Sequence, residues 1–119
     1  MSKKYQFVVF TNPLAGRDEE FNAWYTGVHL DDVLAVPGIN AAQRFKLAAP
    51  DDKAAGGYLA IYEIETDDID KTMADLNNRA GTPRMVLSDA MDMTRVSATL
   101  FEPITGRVLS KNQTGRREA

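Results

Sequence analysis

The chain has 119 residues, no cysteine, and a formal charge of −3 from 17 acidic and 14 basic side chains. This length suits a single domain, and the lack of cysteine excludes disulfides, a thiolate nucleophile and cysteine-ligated zinc or iron–sulfur clusters. The acidic balance argues against nucleic acid as a partner, and no apolar run reaches the length of a membrane span. We expect a cytoplasmic domain over residues 1–110 and a flexible tail over residues 111–119, which has no large apolar side chain.

The first predicted elements are a strand and a long helix. Residues 5–10 (YQFVVF) combine aromatic and β-branched side chains, and the turn signal Asn12-Pro13 follows them. Three acidic residues at 18–20 favour the start of a helix, which Pro37-Gly38 ends. Because the strand is apolar on both sides, both of its faces are expected to be covered.

The long helix is predicted to have an apolar stripe bordered by polar side chains. A step of about 100° per residue places five residues in the stripe: Phe21, Trp24, Tyr25, Val28 and Ala35. The same projection places four residues along the stripe or its edge, three or four positions apart: Asn22, Tyr25, His29 and Asp32. A polar seam is therefore predicted beside the buried face of this helix.

Three more strands and a second helix are predicted after the long helix. Residues 39–47 alternate as a half-buried strand, with Ile39 and Phe45 on one side and Arg44 on the other. Residues 58–64 (YLAIYEI) are again apolar on both faces. A helix begins after residue 66 and ends near residue 80, and residues 96–101 form the last strand. Residues 85–93 suit either a short helix or an ordered loop.

This order of elements, βαββαβ, matches the split βαβ pattern of ferredoxin-like α+β folds. Both helices then cover one face of a four-stranded antiparallel sheet, and the two strands that are apolar on both sides take the central positions. The other face of the sheet keeps apolar side chains that a single subunit leaves bare. Pairing two subunits sheet to sheet buries them, so we predict a homodimer.

The segment EFNAWYTGVHLDDVLAVPGINAAQRFKL, followed by YLAIYEIE, resembles the EthD-like and related small members of the dimeric α/β-barrel superfamily. In these proteins a helix with Trp-Tyr ahead of a histidine, and Pro-Gly after it, precedes the second strand. The resemblance implies a cleft in each subunit that accepts a small, mostly apolar molecule, often without a cofactor. It also matches His29 to the helix histidine and Trp24 and Tyr25 to the aromatic positions. Haem-binding branches place their iron ligand near the second helix, where this chain has no histidine, so we expect no cofactor.

His29, Tyr25 and Asp32 are the catalytic candidates. His29 titrates near neutral pH and is suited to proton transfer, Tyr25 to holding a substrate oxygen, and Asp32 to orienting the imidazole. The alternatives are a structural histidine and a core tyrosine. Five further residues are candidates for substrate binding: Asn22, Trp24, Tyr5, Arg44 and Tyr62. No metal site is predicted, because neighbouring residues such as Asp31 and Asp32 point about 100° apart on a helix.

Three hypotheses about function remain open at this point. The first is a cofactor-independent enzyme that acts on a small aromatic or polyketide-like molecule by cyclisation, isomerisation, decarboxylation or oxygenation. The second is a non-catalytic or stress-associated dimer that binds a small hydrophobic metabolite. The third is a structural dimer with a filled cleft. An open cleft lined by His29 separates the third hypothesis from the first two.

Overall fold

The computed structural model describes residues 1–112. Its elements are β1 (Lys3–Thr11), α1 (Asp18–Trp24), a π-helical segment (Tyr25–His29), α2 (Leu30–Leu34), β2 (Ile39–Lys46), β3 (Tyr58–Thr66), α3 (Ile69–Arg79) and β4 (Ser97–Phe101). Most of the predicted tail, residues 113–119, lies outside the described residues. No helix within residues 1–112 is both long and apolar enough to cross a membrane.

The four strands form one antiparallel sheet in the order β2-β3-β1-β4. β1 pairs with β3 along its whole length, from Lys3 opposite Thr66 to Thr11 opposite Tyr58. The two strands that are apolar on both faces are therefore central, as predicted from their composition. Together with the helices, this sheet confirms the predicted ferredoxin-like α+β fold.

The helical layer differs from the prediction because five residues of the long helix, Tyr25–His29, are π-helical. A π-helical turn holds one residue more than an α-helical turn, so every later side chain is displaced by about one position around the axis. The predicted stripe positions Val28 and Ala35 are exposed, and the residues that follow them, His29 and Val36, take the inward positions. The prediction for Val28 and Ala35 is therefore wrong.

β2 contains a second one-residue irregularity, between Ile39 and Ala41. Ile39 pairs with Ile64 and Arg44 pairs with Ala60, and both partners belong to the buried face of β3. Since paired residues project to the same side of a sheet, Ile39 and Arg44 both face the helices. The prediction that Ile39 shares a side with Phe45 is wrong, because the extra residue reverses the alternation of the strand.

Residues 80–96, between α3 and β4, form an ordered loop rather than a short helix. The loop is fastened to the chain after β1, since Ala90 O accepts a hydrogen bond from Leu14 N at 2.7 Å. Asn12 O accepts a second bond, from Asp92 N at 2.8 Å. Met85 is 1 % exposed and fills the core beneath the loop. The loop is thus a fixed wall of the domain.

The face of the sheet that points away from the helices is apolar in its middle. Partly buried side chains from the two central strands lie there, and Phe45 and Phe101 on the outer strands are 41 % and 53 % exposed. The central members of this open face are Val8, Phe10, Leu59 and Ile61.

Candidate functional site

A cleft of about 180 Å³ lies between the helix-facing side of the sheet and the helices. We call it the His29 cleft. Its lining is mostly apolar and comes from β1, β3 and β4 of the sheet, from the π-helical segment and α2, from α3, and from the loop over residues 80–96. The polar residues of the lining are Thr11, Tyr25, His29, Tyr62 and Asn77. Two catalytic candidates and one substrate-binding candidate therefore meet at one surface.

The π-helical segment determines where the His29 ring lies. In a π-helix, residues five positions apart lie close together on the same side of the helix. Trp24, directly before the segment, therefore lies beside His29 at its end. Their rings stack with centroids 4.6 Å apart and planes at 26°. The His29 ring also meets Tyr25 edge to face, with centroids 4.8 Å apart. The aromatic contacts fix the imidazole against the lining of the cleft, and its buried Nδ1 has no hydrogen-bond partner among residues 1–112.

Burial lowers the pKa of His29 to about 4. The negative charge of Asp32 raises this pKa and the positive charge of Arg44 lowers it, and both effects are smaller than that of burial. The imidazole is therefore neutral at pH 7 and is able to accept a proton. Within residues 1–112 no hydrogen bond joins Asp32 to His29, so Asp32 acts on the ring only through its charge.

The hydroxyls of Tyr25 and Tyr62 form a buried pair, with their oxygens 3.0 Å apart. Burial raises the pKa of both side chains, so both stay protonated at pH 7. In such a pair one hydroxyl donates and the other accepts, which uses only one of the two protons. The second proton is available to a ligand oxygen in the cleft.

Trp24 and Tyr5 lie in different parts of the domain, and neither lines the His29 cleft. Trp24 Nε1 donates a hydrogen bond to Val86 O at 3.0 Å, which ties the loop over residues 80–96 to the helix. Tyr5 is buried in the core beside its strand partner Ile64 and lies next to another surface depression. The structure thus separates Tyr5 from the other candidates.

Asn22 and Arg44 come together outside the His29 cleft. Arg44 Nη2 donates to Asn22 Oδ1 at 2.9 Å, and Asn22 Nδ2 donates to the Tyr58 hydroxyl at 3.2 Å. The Arg44 guanidinium lies over the Tyr25 ring, 4.4 Å from its centroid. Tyr25 therefore contacts both the group around Arg44 and the imidazole of His29.

The cleft also contains residues that were not among the catalytic and substrate-binding candidates. Leu76 and Asn77 of α3 line it, together with Met85, Leu87 and Met91 of the loop. The methionine-rich composition of residues 85–93 is a signal for an adaptable apolar wall. The spacing of this segment gives no helix or strand period, so the sequence left a pocket wall and plain core filling as alternatives for its methionines. Across residues 1–112 no group of three or more His, Asp or Glu side chains is placed to hold a metal ion.

The chain matches no family model and no curated protein. Among solved structures, a protein described as a candidate monooxygenase from Shewanella loihica PV-4 is 15% identical, with a TM-score of 0.59 over 87% of this chain and 97% of that one. An ethyl tert-butyl ether D (EthD) family protein from Bacillus halodurans C-125 is 10% identical, with a TM-score of 0.51 over 85% of this chain and 99% of that one.

A third solved structure, an EthD-like protein from Ralstonia eutropha JMP134, is 17% identical, with a TM-score of 0.56 over 93% of this chain and 99% of that one. These likenesses span nearly the whole of each neighbour and define the class of the fold, a ferredoxin-like α+β domain. Within that class the fold is similar to the folds of the EthD family protein and the EthD-like protein. At such identities the likeness establishes the fold alone.

Proposed function

We propose that the protein is a cofactor-independent enzyme that removes a proton beside the carbonyl group of a small aromatic or polyketide-like molecule. One observation carries this proposal: a neutral imidazole and a hydroxyl pair with a spare proton share the lining of one apolar cleft. Enolate formation requires two groups beside the bound carbonyl compound. One is a base that takes the C–H proton, and the other is a hydrogen-bond donor to the carbonyl oxygen.

In the proposed step the C–H bond next to the carbonyl breaks and its proton moves to a ring nitrogen of His29. The electron pair of that bond forms the enolate, and the enolate oxygen accepts a hydrogen bond from the Tyr25–Tyr62 pair. Asp32 stabilises the resulting imidazolium through its charge, the same effect that raises the pKa of the free ring. Because the Tyr25–Tyr62 hydroxyl pair is buried, its hydrogen bond to the enolate oxygen is stronger than it would be in water.

The enolate is common to the reactions that the fold family resemblance implies. Return of the proton at another carbon gives isomerisation, and attack on a second carbonyl of the same molecule gives cyclisation. Loss of carbon dioxide from a β-keto acid also forms an enolate, which then takes up a proton. Oxygenation requires molecular oxygen as the co-reactant, which becomes reduced as the carbon is oxidised.

The volume of the cleft limits the substrate to about one ring with short substituents. An apolar cavity of roughly 150 Å³ holds benzene, and the His29 cleft is about 180 Å³. Its apolar lining favours an uncharged ring system. Trp24 supports this site indirectly, since it stacks on His29 and holds the loop that walls the cleft.

Deuterium exchange into 2-indanone, a small ketone in which one aromatic ring is fused to a five-membered ring with acidic C–H groups, tests the proposal. We expect the protein in D2O to accelerate loss of the CH2 signal in proton NMR, and His29→Phe to lower the rate by roughly a hundredfold or more. Asp31→Asn is the matched control, because Asp31 is exposed on the same helix and outside the cleft. Exchange by His29→Phe at the wild-type rate would exclude His29 as the base.

The second hypothesis, a non-catalytic binder of a hydrophobic metabolite, is favoured because no group in residues 1–112 forms a hydrogen bond with the buried Nδ1 of His29. Catalytic imidazoles are commonly oriented by such a bond. Under this hypothesis 2-indanone binds in the cleft without any exchange, and His29→Phe alters the affinity alone.

We also propose that two subunits pair through the open face of the sheet and function in the cytoplasm, which suits a cysteine-free chain. The support is the partly exposed apolar group on that face, including Phe45 and Phe101. Sedimentation equilibrium should give a dimer for the wild type and a monomer for the double variant Phe45→Glu/Phe101→Glu. Val28→Glu, which adds a negative charge on the helical layer instead of the open face, should remain dimeric. A monomeric wild type would contradict this assembly.

A further inference from the structure

Arg44 has a half-buried positive charge and neutral hydrogen-bond partners. Its Nη1 donates to Thr26 Oγ1 at 2.9 Å and its Nη2 to Asn22 Oδ1 at 2.9 Å. Within residues 1–112 no carboxylate lies within ion-pair distance of the guanidinium. Its Nε is buried and has no acceptor in the described part of the chain. Since burial of a charge is costly unless a counter-charge accompanies it, this arrangement suits an anion that arrives from solution.

An open recess of about 380 Å³ lies beside this guanidinium. We call it the Arg44 recess. Lys46, two residues further along the same strand, lines it and adds a second positive charge on the same side of the sheet. The Tyr58 hydroxyl, which also lines it, donates to Asp18 Oδ2 at 3.1 Å. The Asp18 carboxylate that accepts this bond is not within ion-pair distance of Arg44 or Lys46, and no other carboxylate of residues 1–112 is.

The Arg44 recess and the His29 cleft are different sites. Their linings have no residue in common. The recess has a mixed polar and apolar lining and is open at the edge of the sheet, whereas the cleft is mostly apolar and lies beneath the helices. Tyr25 is the structural link, since its ring contacts both Arg44 and His29.

We propose that the Arg44 recess is a second ligand site, which binds the carboxylate of a small organic acid. A guanidinium presents five N–H donors in a plane, and two of those on Arg44 are used, by Thr26 and Asn22. The remaining donors match the planar, two-oxygen geometry of a carboxylate. The Lys46 ammonium adds a positive charge that does not require a particular orientation of the carboxylate. The rest of the acid can pack against the Tyr58 ring. The proposal does not depend on proton transfer in the His29 cleft.

The test is calorimetric titration with sodium benzoate, with benzamide as the uncharged probe of the same shape. Benzoate should bind the wild type, and benzamide should bind at least tenfold more weakly, because a charge-assisted hydrogen bond is about twice as strong as a neutral one. Arg44→Met should weaken benzoate binding at least tenfold. Arg84→Met, which removes the same charge from an exposed loop position, should leave it unchanged.

Three results would overturn the proposal: equal binding of benzoate and benzamide, wild-type affinity in Arg44→Met, or no benzoate binding at millimolar concentration. Tighter binding of inorganic phosphate than of benzoate would refute the assignment to a carboxylate. If Arg44→Met does not fold, Lys46→Met replaces it, since Lys46 is exposed, and should weaken benzoate about threefold. In the wild type the Arg44 Nε–H signal in nitrogen-edited NMR should shift on benzoate addition, and an unmoved signal would exclude the site.

Discussion

Replacement of His29 by Phe should change how the stability of the protein depends on pH. The pKa of His29 is about 4 in the folded chain, against 6.5 for an unperturbed histidine. Above pH 6.5 the ring is neutral in both states and contributes nothing. As the pH falls below 6.5, the unfolded chain takes up a proton that the folded chain does not, so the folded state loses stability until the pH passes below about 4.

The size of this effect follows from the same two pKa values. Their difference corresponds to about 3 kcal/mol of stability lost at the acid limit, and to about 2 kcal/mol at pH 5. Phe has no titrating group and keeps a planar ring against Trp24, so the variant should lack this loss. Carboxylates contribute equally to both proteins and cancel in the comparison.

Urea unfolding at equal protein concentration, at pH 7.5, 6 and 5, measures this difference. The gap in unfolding free energy between wild type and His29→Phe should move by about 2 kcal/mol in favour of the variant between pH 7.5 and pH 5. NMR titration of the imidazole in the folded protein provides an independent reading of its pKa. Parallel pH profiles for the two proteins, or an imidazole that titrates near 6.5, would refute the burial of His29 against the cleft.

Trp24→Phe should destabilise the fold by about 1 kcal/mol in urea, because the hydrogen bond to Val86 O is lost, and should increase proteolysis in the loop over residues 80–96. Unchanged proteolysis would contradict that tether. Tyr62→Phe should cost about 1–3 kcal/mol by leaving the buried Tyr25 hydroxyl unpaired, and should slow exchange of 2-indanone. Normal exchange would remove the pair from the mechanism. Gly38→Ala should cost about 1–2 kcal/mol of unfolding free energy in thermal unfolding, because Gly38 has φ +96° and the added Cβ would lie 3.3 Å from a backbone oxygen. A neutral effect would show that this turn relaxes.

The element order and the central positions of β1 and β3 were predictable because each depends on patterns within one segment. A strand that is apolar on both sides must have both of its faces covered, and this places it in the middle of the sheet. The order βαββαβ then leaves few ways to join the strands.

The positions of the site residues were less predictable, because two one-residue irregularities reverse local patterns. The π-helical segment exchanges the roles of Val28 and His29, so the histidine moves from the edge of the stripe to its inward side. The irregularity after Ile39 turns Arg44 towards the helices. Neither is visible in a fixed step of about 100° or in strict alternation, because tertiary packing determines where the extra residue is placed.

The central claim is that His29 faces a cleft that holds a small apolar carbonyl compound. Intermolecular NOE measurements on the wild-type protein with 2-indanone test it most directly. The account predicts NOEs from the ligand to the His29 ring and to the side chains of Leu76 and Met85, which line the same cleft. Ligand NOEs confined to the Arg44 recess or to the open face of the sheet, with none to His29, would contradict it.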